Sequence, residues 1–167
     1  MPSLAREIER KFLLADPPEH LDGLPRKKIR QGYIAVTQGG TEVRVRKEGK
    51  RHFLTIKEGH GENRGEEEVE INDSQFASLW PLTKGQRVRK IRYEVAHDGK
   101  TVEVDVYRGK LKGLTTAEVE FPDEGASHGF QPPEWLGREI TGDDRYSNQE
   151  LARYGRPQEA GGSPEAG

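Results

Sequence analysis

The chain has 167 residues, 27 Lys+Arg against 29 Asp+Glu, a net charge of -2 and no cysteine. That length suits one domain around one modest core, the slight acidic excess speaks against a general nucleic-acid binder, and the absence of cysteine excludes disulfides and thiolate metal sites. No apolar run resembles a signal peptide or approaches the ~18 residues of a membrane span, so a cytoplasmic protein with no membrane partner is expected.

Taken in order, the chain alternates charged and apolar residues from Glu7 to Leu14, Arg30 to Val36, Thr41 to Arg46, His52 to Lys57 and Glu66 to Ile71. The pattern returns from Val88 to Val95, Thr101 to Tyr107 and Ala117 to Phe121. A period of two predicts about eight strands. Turn signals at Gly39-Gly40, Glu48-Gly49-Lys50, Gly59-His60-Gly61, Asp98-Gly99 and between Gly109 and Gly113 separate them. Such even spacing favours an antiparallel sheet or barrel. Short helices are predicted over Asp73–Trp80, more weakly over Asp123–Phe130, and after a capping box at Ser147–Glu150. The tail from Gly155 to Gly167, rich in Gly, Pro, Ala and Glu, is expected to be disordered. That leaves residues 1–154 as the domain.

Residues two apart in a strand share a face, and here those faces collect charge. One face carries Lys11, Arg44, Arg46, Lys57, Lys90 and Arg92. It also carries Glu7, Glu9, Glu66, Glu68, Glu103, Asp105, Glu118 and Glu120. The opposite positions hold Ile8, Phe12, Val43, Val45, Leu54, Ile56, Ile91, Tyr93, Val102, Val104, Val106, Val119 and Phe121. A single alternating strand is most simply a sheet with one wet face. The set is different, because like charges two residues apart repel mildly and neutral filler is sparse. If the charged face turns inward, the cations suit a chain of phosphoryl groups and the carboxylates suit Mg²⁺ or Mn²⁺.

The histidines His20, His52, His60, His97 and His128 are scattered and read as surface or loop residues rather than zinc ligands. No Gly-x-x-x-x-Gly-Lys-[Ser/Thr] loop is present, which disfavours a P-loop NTPase. Aromatics make up only 7% of the chain, so a platform for stacking an organic group is not evident, Tyr33 and Tyr107 being the best candidates. Trp80 and Trp135 are assigned to packing on the apolar face.

Glu7-Ile8-Glu9-Arg10-Lys11 resembles the Glu-x-Glu-x-Lys signature of the CYTH, or triphosphate tunnel metalloenzyme, superfamily. The segments that follow resemble the rest of that family's pattern in order: Arg44-Val45-Arg46, Leu54-Thr55-Ile56-Lys57, Arg64-Gly65-Glu66-Glu67-Glu68, Lys90-Ile91-Arg92-Tyr93, Glu103-Val104-Asp105, Ala117 to Phe121 and Thr141 to Asn148. The resemblance spans residues 3–154. It implies an eight-stranded antiparallel barrel forming a charged tunnel, mainly β with a few short helices outside and at the C-terminus. It also implies metal-dependent hydrolysis of a small triphosphate, inorganic triphosphate first.

On that reading Glu7, Glu9, Glu118 and Glu120 hold Mg²⁺ or Mn²⁺. Lys11, Arg44, Arg46, Lys57, Lys90, Arg92 and Arg145 bind the phosphates. Glu7, Glu9 and Lys90 take the catalytic roles, while Glu66, Glu68 and Asp105 orient the cations. Asp144 departs from the pattern, standing where relatives often carry a basic residue, and Asp143 with Arg145 can equally form a loop ion pair. Other triphosphatases of the same fold, acting on nucleoside or thiamine triphosphates, are the alternatives, together with class IV adenylate cyclases. A polyphosphate-binding module without catalysis is a second alternative. Monomer and homodimer are both open.

Overall fold

The computed structural model describes residues 3–158. Eight antiparallel strands close into a barrel in the order β1-β5-β4-β3-β2-β6-β7-β8. They are β1 (Ala5–Leu14), β2 (Arg26–Val36), β3 (Glu42–Glu48), β4 (Arg51–Glu58), β5 (Asn63–Ile71), β6 (Arg87–His97), β7 (Lys100–Arg108) and β8 (Thr115–Phe121). Each predicted strand is present, most extended by one to four residues at an end. Three short helices accompany them: α1 (Asp73–Leu79), α2 (Glu124–Gly129) and α3 (Asn148–Tyr154). The cap of α1 is Asn72, whose side chain and that of Gln75 bond reciprocally to each other's backbone N–H. At α3 only half of the expected box forms, Ser147 accepting from the N–H of Glu150. Residues 155–158 of the expected disordered tail are described, and 159–167 lie outside the described residues.

The apolar core sits outside the barrel wall. Phe12, Val102, Val104, Ala117 and Val119 project outward and are covered by Phe130 and Leu136, with Trp135 packed against them. On β1, β7 and β8 the hydrophobic positions of the alternation thus face a shell of helix and loop and the charged ones face inward, whereas Ile56 of β4 and Val69 of β5 stay exposed on the outer face. A second cluster gathers Tyr33, Val88, Tyr107 and Leu111 with Leu151 and Ala152 of α3 and with Tyr146. This cluster anchors the C-terminal helix against β2 and β6.

One seam needs help from the C-terminal segment. β1 pairs with β8 through seven residues but with β5 through only four. Beyond them the chain at 138–140 lies along β1: Leu13 N–H donates to Arg138 O at 2.9 Å, and Ile140 N–H to Lys11 O at 2.8 Å. Lys11 N–H also donates to Thr141 Oγ1 at 2.9 Å. The approach is close enough to require glycine at 137, where a Cβ would lie 2.3 Å from Leu13 O. This seam brings Thr141 to Asp144 to the tunnel mouth, facing the Gly59–Gly61 turn, with Gly142 and Gly61 in close approach.

Candidate active site

The barrel interior is a cavity of about 290 Å³ walled mainly by charged side chains. Its two halves differ in sign. β1, β7 and β8 contribute Glu7, Glu9, Glu103, Glu118 and Glu120 against the single cation Lys11, while β3, β4 and β6 contribute Arg44, Arg46, Lys57 and Arg92, with Glu42 and Glu48 at the two ends of β3. Register explains the grouping: Glu9 stands directly opposite Glu120, and Glu103 opposite Glu118. Like charges placed this way are unfavourable in an ordinary sheet.

The basic half is tightly organised. Lys90 and Asp105 are both fully buried and meet at 2.7 Å. Arg92 donates to Asp105 Oδ1 at 2.7 Å and Oδ2 at 2.9 Å, and its other edge reaches Glu118 at 3.1 Å and Glu103 at 3.2 Å. Burial alone would raise the Asp105 carboxyl, but Arg92 and Lys90 outweigh it and hold it well below the usual range. Glu118 is buried too, yet Arg92, Lys11 and Lys90 bring it down to about 2. For Lys90 burial wins over Asp105, and the amine is pushed down to about 8. Arg46 donates to Gln31 at 2.6 Å, and Gln31 in turn donates to the Tyr33 hydroxyl at 2.6 Å. Lys57 meets Glu7 at 2.5 Å, and Lys11 donates to the carbonyl of Tyr146 at 2.7 Å.

The acidic half is under-compensated. Burial first, then Glu118, pushes the Glu9 carboxyl up to about 8 despite Lys57 and Lys11. Burial likewise raises Glu66, Glu103 and Glu120, with Glu7 adding to the effect at Glu66 and Glu120. An all-oxygen set of carboxyls whose ionisation is disfavoured by burial and by one another has the chemistry that a hard divalent cation relieves. Among the described residues no three such groups are already drawn to metal-ligating spacing; Glu7 is held by Lys57 and Glu118 by Arg92. Across the tunnel, Arg44 leaves its Nε buried without a partner, a donor suited to an anionic oxygen.

The model of the CYTH domain matches residues 5–152. The chain belongs to the CYTH domain family. This CYTH chain is 45% identical over 148 residues to an inorganic triphosphatase of Nitrosomonas europaea, covering 87% of this chain and 96% of that protein. It is 37% identical over 153 residues to an inorganic triphosphatase of Acetivibrio thermocellus, covering 90% and 95%. A crystal structure of an inorganic triphosphatase superposes with a TM-score of 0.67 at 42% identity, over 90% of this chain and 100% of that one.

Within this CYTH barrel, Glu7, Glu9, Lys11, Arg44, Arg46, Lys57, Glu66, Glu68, Arg92, Glu118 and Glu120 all reach the tunnel wall. Two expected phosphate ligands do not. Lys90 lies one layer behind Arg92, against Asp105. Arg145 is half-exposed and paired with Asp143 at 2.6 Å, the loop ion pair that the sequence left open.

Two further expectations change. His52 is buried, not a surface residue, because α1 covers its face of β4; its Nδ1 lies 3.1 Å from Asp73. Neither candidate ring is free to stack, since Tyr33 and Tyr107 are buried against α3 and Tyr107 donates to Asn148.

Three charged tunnel residues on the strands were missing from the expected set: Glu42, Glu48 and Arg64. Buried Glu42 accepts from Arg44 at 3.3 Å, Arg64 at 3.2 Å and Gln149 of α3 at 3.1 Å. The signal was available, because Glu42 and Glu48 share the face of Arg44 and Arg46, and Arg64 that of Glu66.

Proposed function

We propose that this CYTH protein hydrolyses inorganic triphosphate to pyrophosphate and phosphate inside the tunnel, with Mg²⁺ or Mn²⁺. The observation carrying this reading is the division of one small cavity into an arginine- and lysine-rich half and an under-compensated carboxylate half. The first half matches a phosphate chain and the second its divalent cation. The relatives named inorganic triphosphatase support the same substrate.

Glu9, Glu118 and Glu120 would hold the cation, with Glu7 beside them. When bound, the cation supplies charge neutralisation on the phosphoryl oxygens and acidifies water. Arg44, Arg46, Lys11, Lys57 and Arg92 bind the chain and fix it in line, where positioning and electrostatics lower the barrel-bound barrier to phosphoryl transfer. Lys90, on the same inward face of β6 as Arg92, acts through its neighbours: it fixes Asp105, and Asp105 fixes the Arg92 fork. Glu42 does the same for Arg44 and Arg64.

Among the described tunnel residues there is no Phe or Trp, and the one tyrosine, Tyr33, is fully buried, which favours inorganic triphosphate over nucleoside and thiamine triphosphates; His60 at the mouth is the one exposed ring. The test is phosphate release from inorganic triphosphate and from ATP, each with Mg²⁺, Mn²⁺ or chelator. Metal-dependent release that is faster from inorganic triphosphate is expected. A preference for ATP would overturn the substrate assignment, and tight binding without turnover would overturn catalysis.

A further inference from the structure

The outer face of β3, β2, β6 and β7 carries a row of cations that the tunnel does not use. Register places Lys47 opposite Arg30, Arg30 opposite Arg89, and Arg89 opposite Arg108. Four adjacent strands thus align four positive side chains along one line. At the usual strand separation the row is on the order of 15 Å long. Like charges directly opposite one another disfavour strand pairing, and this chain is acidic overall. None of the four forms an ion pair with a carboxylate among the described residues. Arg87 and Lys110 flank the row, and Arg30, Arg87, Arg89, Arg108 and Lys110 line one open surface cleft with Trp80.

The chemistry of the row narrows its ligand. Three of its four members are arginines, whose planar forks suit phosphoryl oxygens. The one aromatic ring in the cleft is already occupied: Trp80 stacks on Phe76 at 5.2 Å, and the Arg87 guanidinium lies 4.3 Å from its centroid. A single-stranded nucleic acid held without sequence preference stacks its bases on free aromatic rings, and the row offers none. Cross-strand spacing is also close to that of alternate phosphoryl groups along a condensed phosphate chain.

We propose that this face is a second anion site, outside the tunnel, which binds a linear polyphosphate chain along the register-matched row Lys47, Arg30, Arg89 and Arg108. The site does not depend on the tunnel's chemistry, and a chain lying along the row can be held whether or not the tunnel is filled.

The test is titration calorimetry of the full chain with linear polyphosphate long enough to span the row, in chelator, over a series of salt concentrations. Binding should weaken with salt, with a log–log slope of about -3 for four or five phosphate contacts. Arg89→Gln with Arg108→Gln should lower affinity by about tenfold or more and flatten the slope by about 1.4. The same double variant should hydrolyse inorganic triphosphate at the rate of the parent, which also shows that it is folded. Arg108→Gln alone should lower affinity by about threefold. Lys11→Ala, a tunnel change, should leave polyphosphate affinity unchanged.

If affinity follows Lys11→Ala and ignores the arginine variants, the chain is held in the tunnel and the proposal fails. If single-stranded DNA of matched charge binds the parent as tightly as polyphosphate, the ligand class is wrong.

Discussion

Replacing Glu9 by glutamine tests the central electrostatic argument through folding as well as catalysis. The Glu9 carboxyl stands at about 8 in the folded protein against an ordinary 4.5, chiefly through burial and Glu118. Ionising it in the folded state therefore costs roughly 4–5 kcal/mol more than in the unfolded chain. Below about pH 4.5 both states keep the proton and the group takes nothing from stability. As pH rises towards 8 the unfolded chain releases a proton that the folded protein retains, and stability falls.

A neutral glutamine of the same size removes that loss. Without metal, Glu9→Gln should melt close to the parent at pH 5 and well above it at pH 8–9. The gap at high pH should approach 10 °C for a domain of this size, at about 2–4 °C per kcal/mol. With Mn²⁺ at pH 8 the order should reverse in its response, the parent gaining stability and the variant little, while triphosphate turnover by the variant drops by at least about a hundredfold. The assay is a set of thermal melts from pH 5 to 9 with chelator or Mn²⁺. A melting difference independent of pH, or a variant less stable than the parent at pH 9, would refute the placement of Glu9 among uncompensated carboxyls.

Asp105→Asn leaves Lys90 and Arg92 buried without their shared carboxylate and should cost about 3–5 kcal/mol in urea denaturation; a loss under ~1 kcal/mol would show that the knot is not a tight one. Arg44→Lys keeps the charge but removes the fork whose Nε is left unpartnered, so KM for inorganic triphosphate should rise by about tenfold in steady-state assays, and an unchanged KM would remove Arg44 from the phosphate clamp. Gly137→Ala drives a Cβ into Leu13 O; the seam must open, costing about 1–3 kcal/mol, and hydrogen exchange should speed up at the Leu13 and Ile140 amides, whereas unchanged protection there would mean that the 138–140 segment tolerates displacement.

Much of this architecture could be read from alternation alone. Glu7, Glu9 and Lys11 share one parity, and that parity faces the tunnel; Ile8 and Phe12 share the other, with Ile8 and Phe12 buried in the outer cluster. Parity gives the side of the wall but not the depth, so Lys90 was legible as inward and not as buried behind Arg92. The fates of Tyr33, Tyr107 and His52 depend on where α3 and α1 dock. Docking is a long-range matter that no local period encodes. Glu42 and Glu48 were legible by the same rule of two, which extends from the paired arginines Arg44 and Arg46 to both ends of β3.

The seam between the two ends of the chain has a consequence for how the barrel assembles. β1 is the first strand made, yet its longer edge pairs with β8, the last, and its other edge is completed by a contact from Lys11 to Thr141, 130 residues away. Hairpins such as β3–β4 and β6–β7 join neighbours in sequence and can form while the chain is still emerging from the ribosome. Closure cannot, because loop entropy must be spent before contacts this distant return anything. The first strand therefore waits, with its apolar side exposed, until nearly all of the domain has been synthesised. The final step of folding is the one that turns an open, curved sheet into a tunnel.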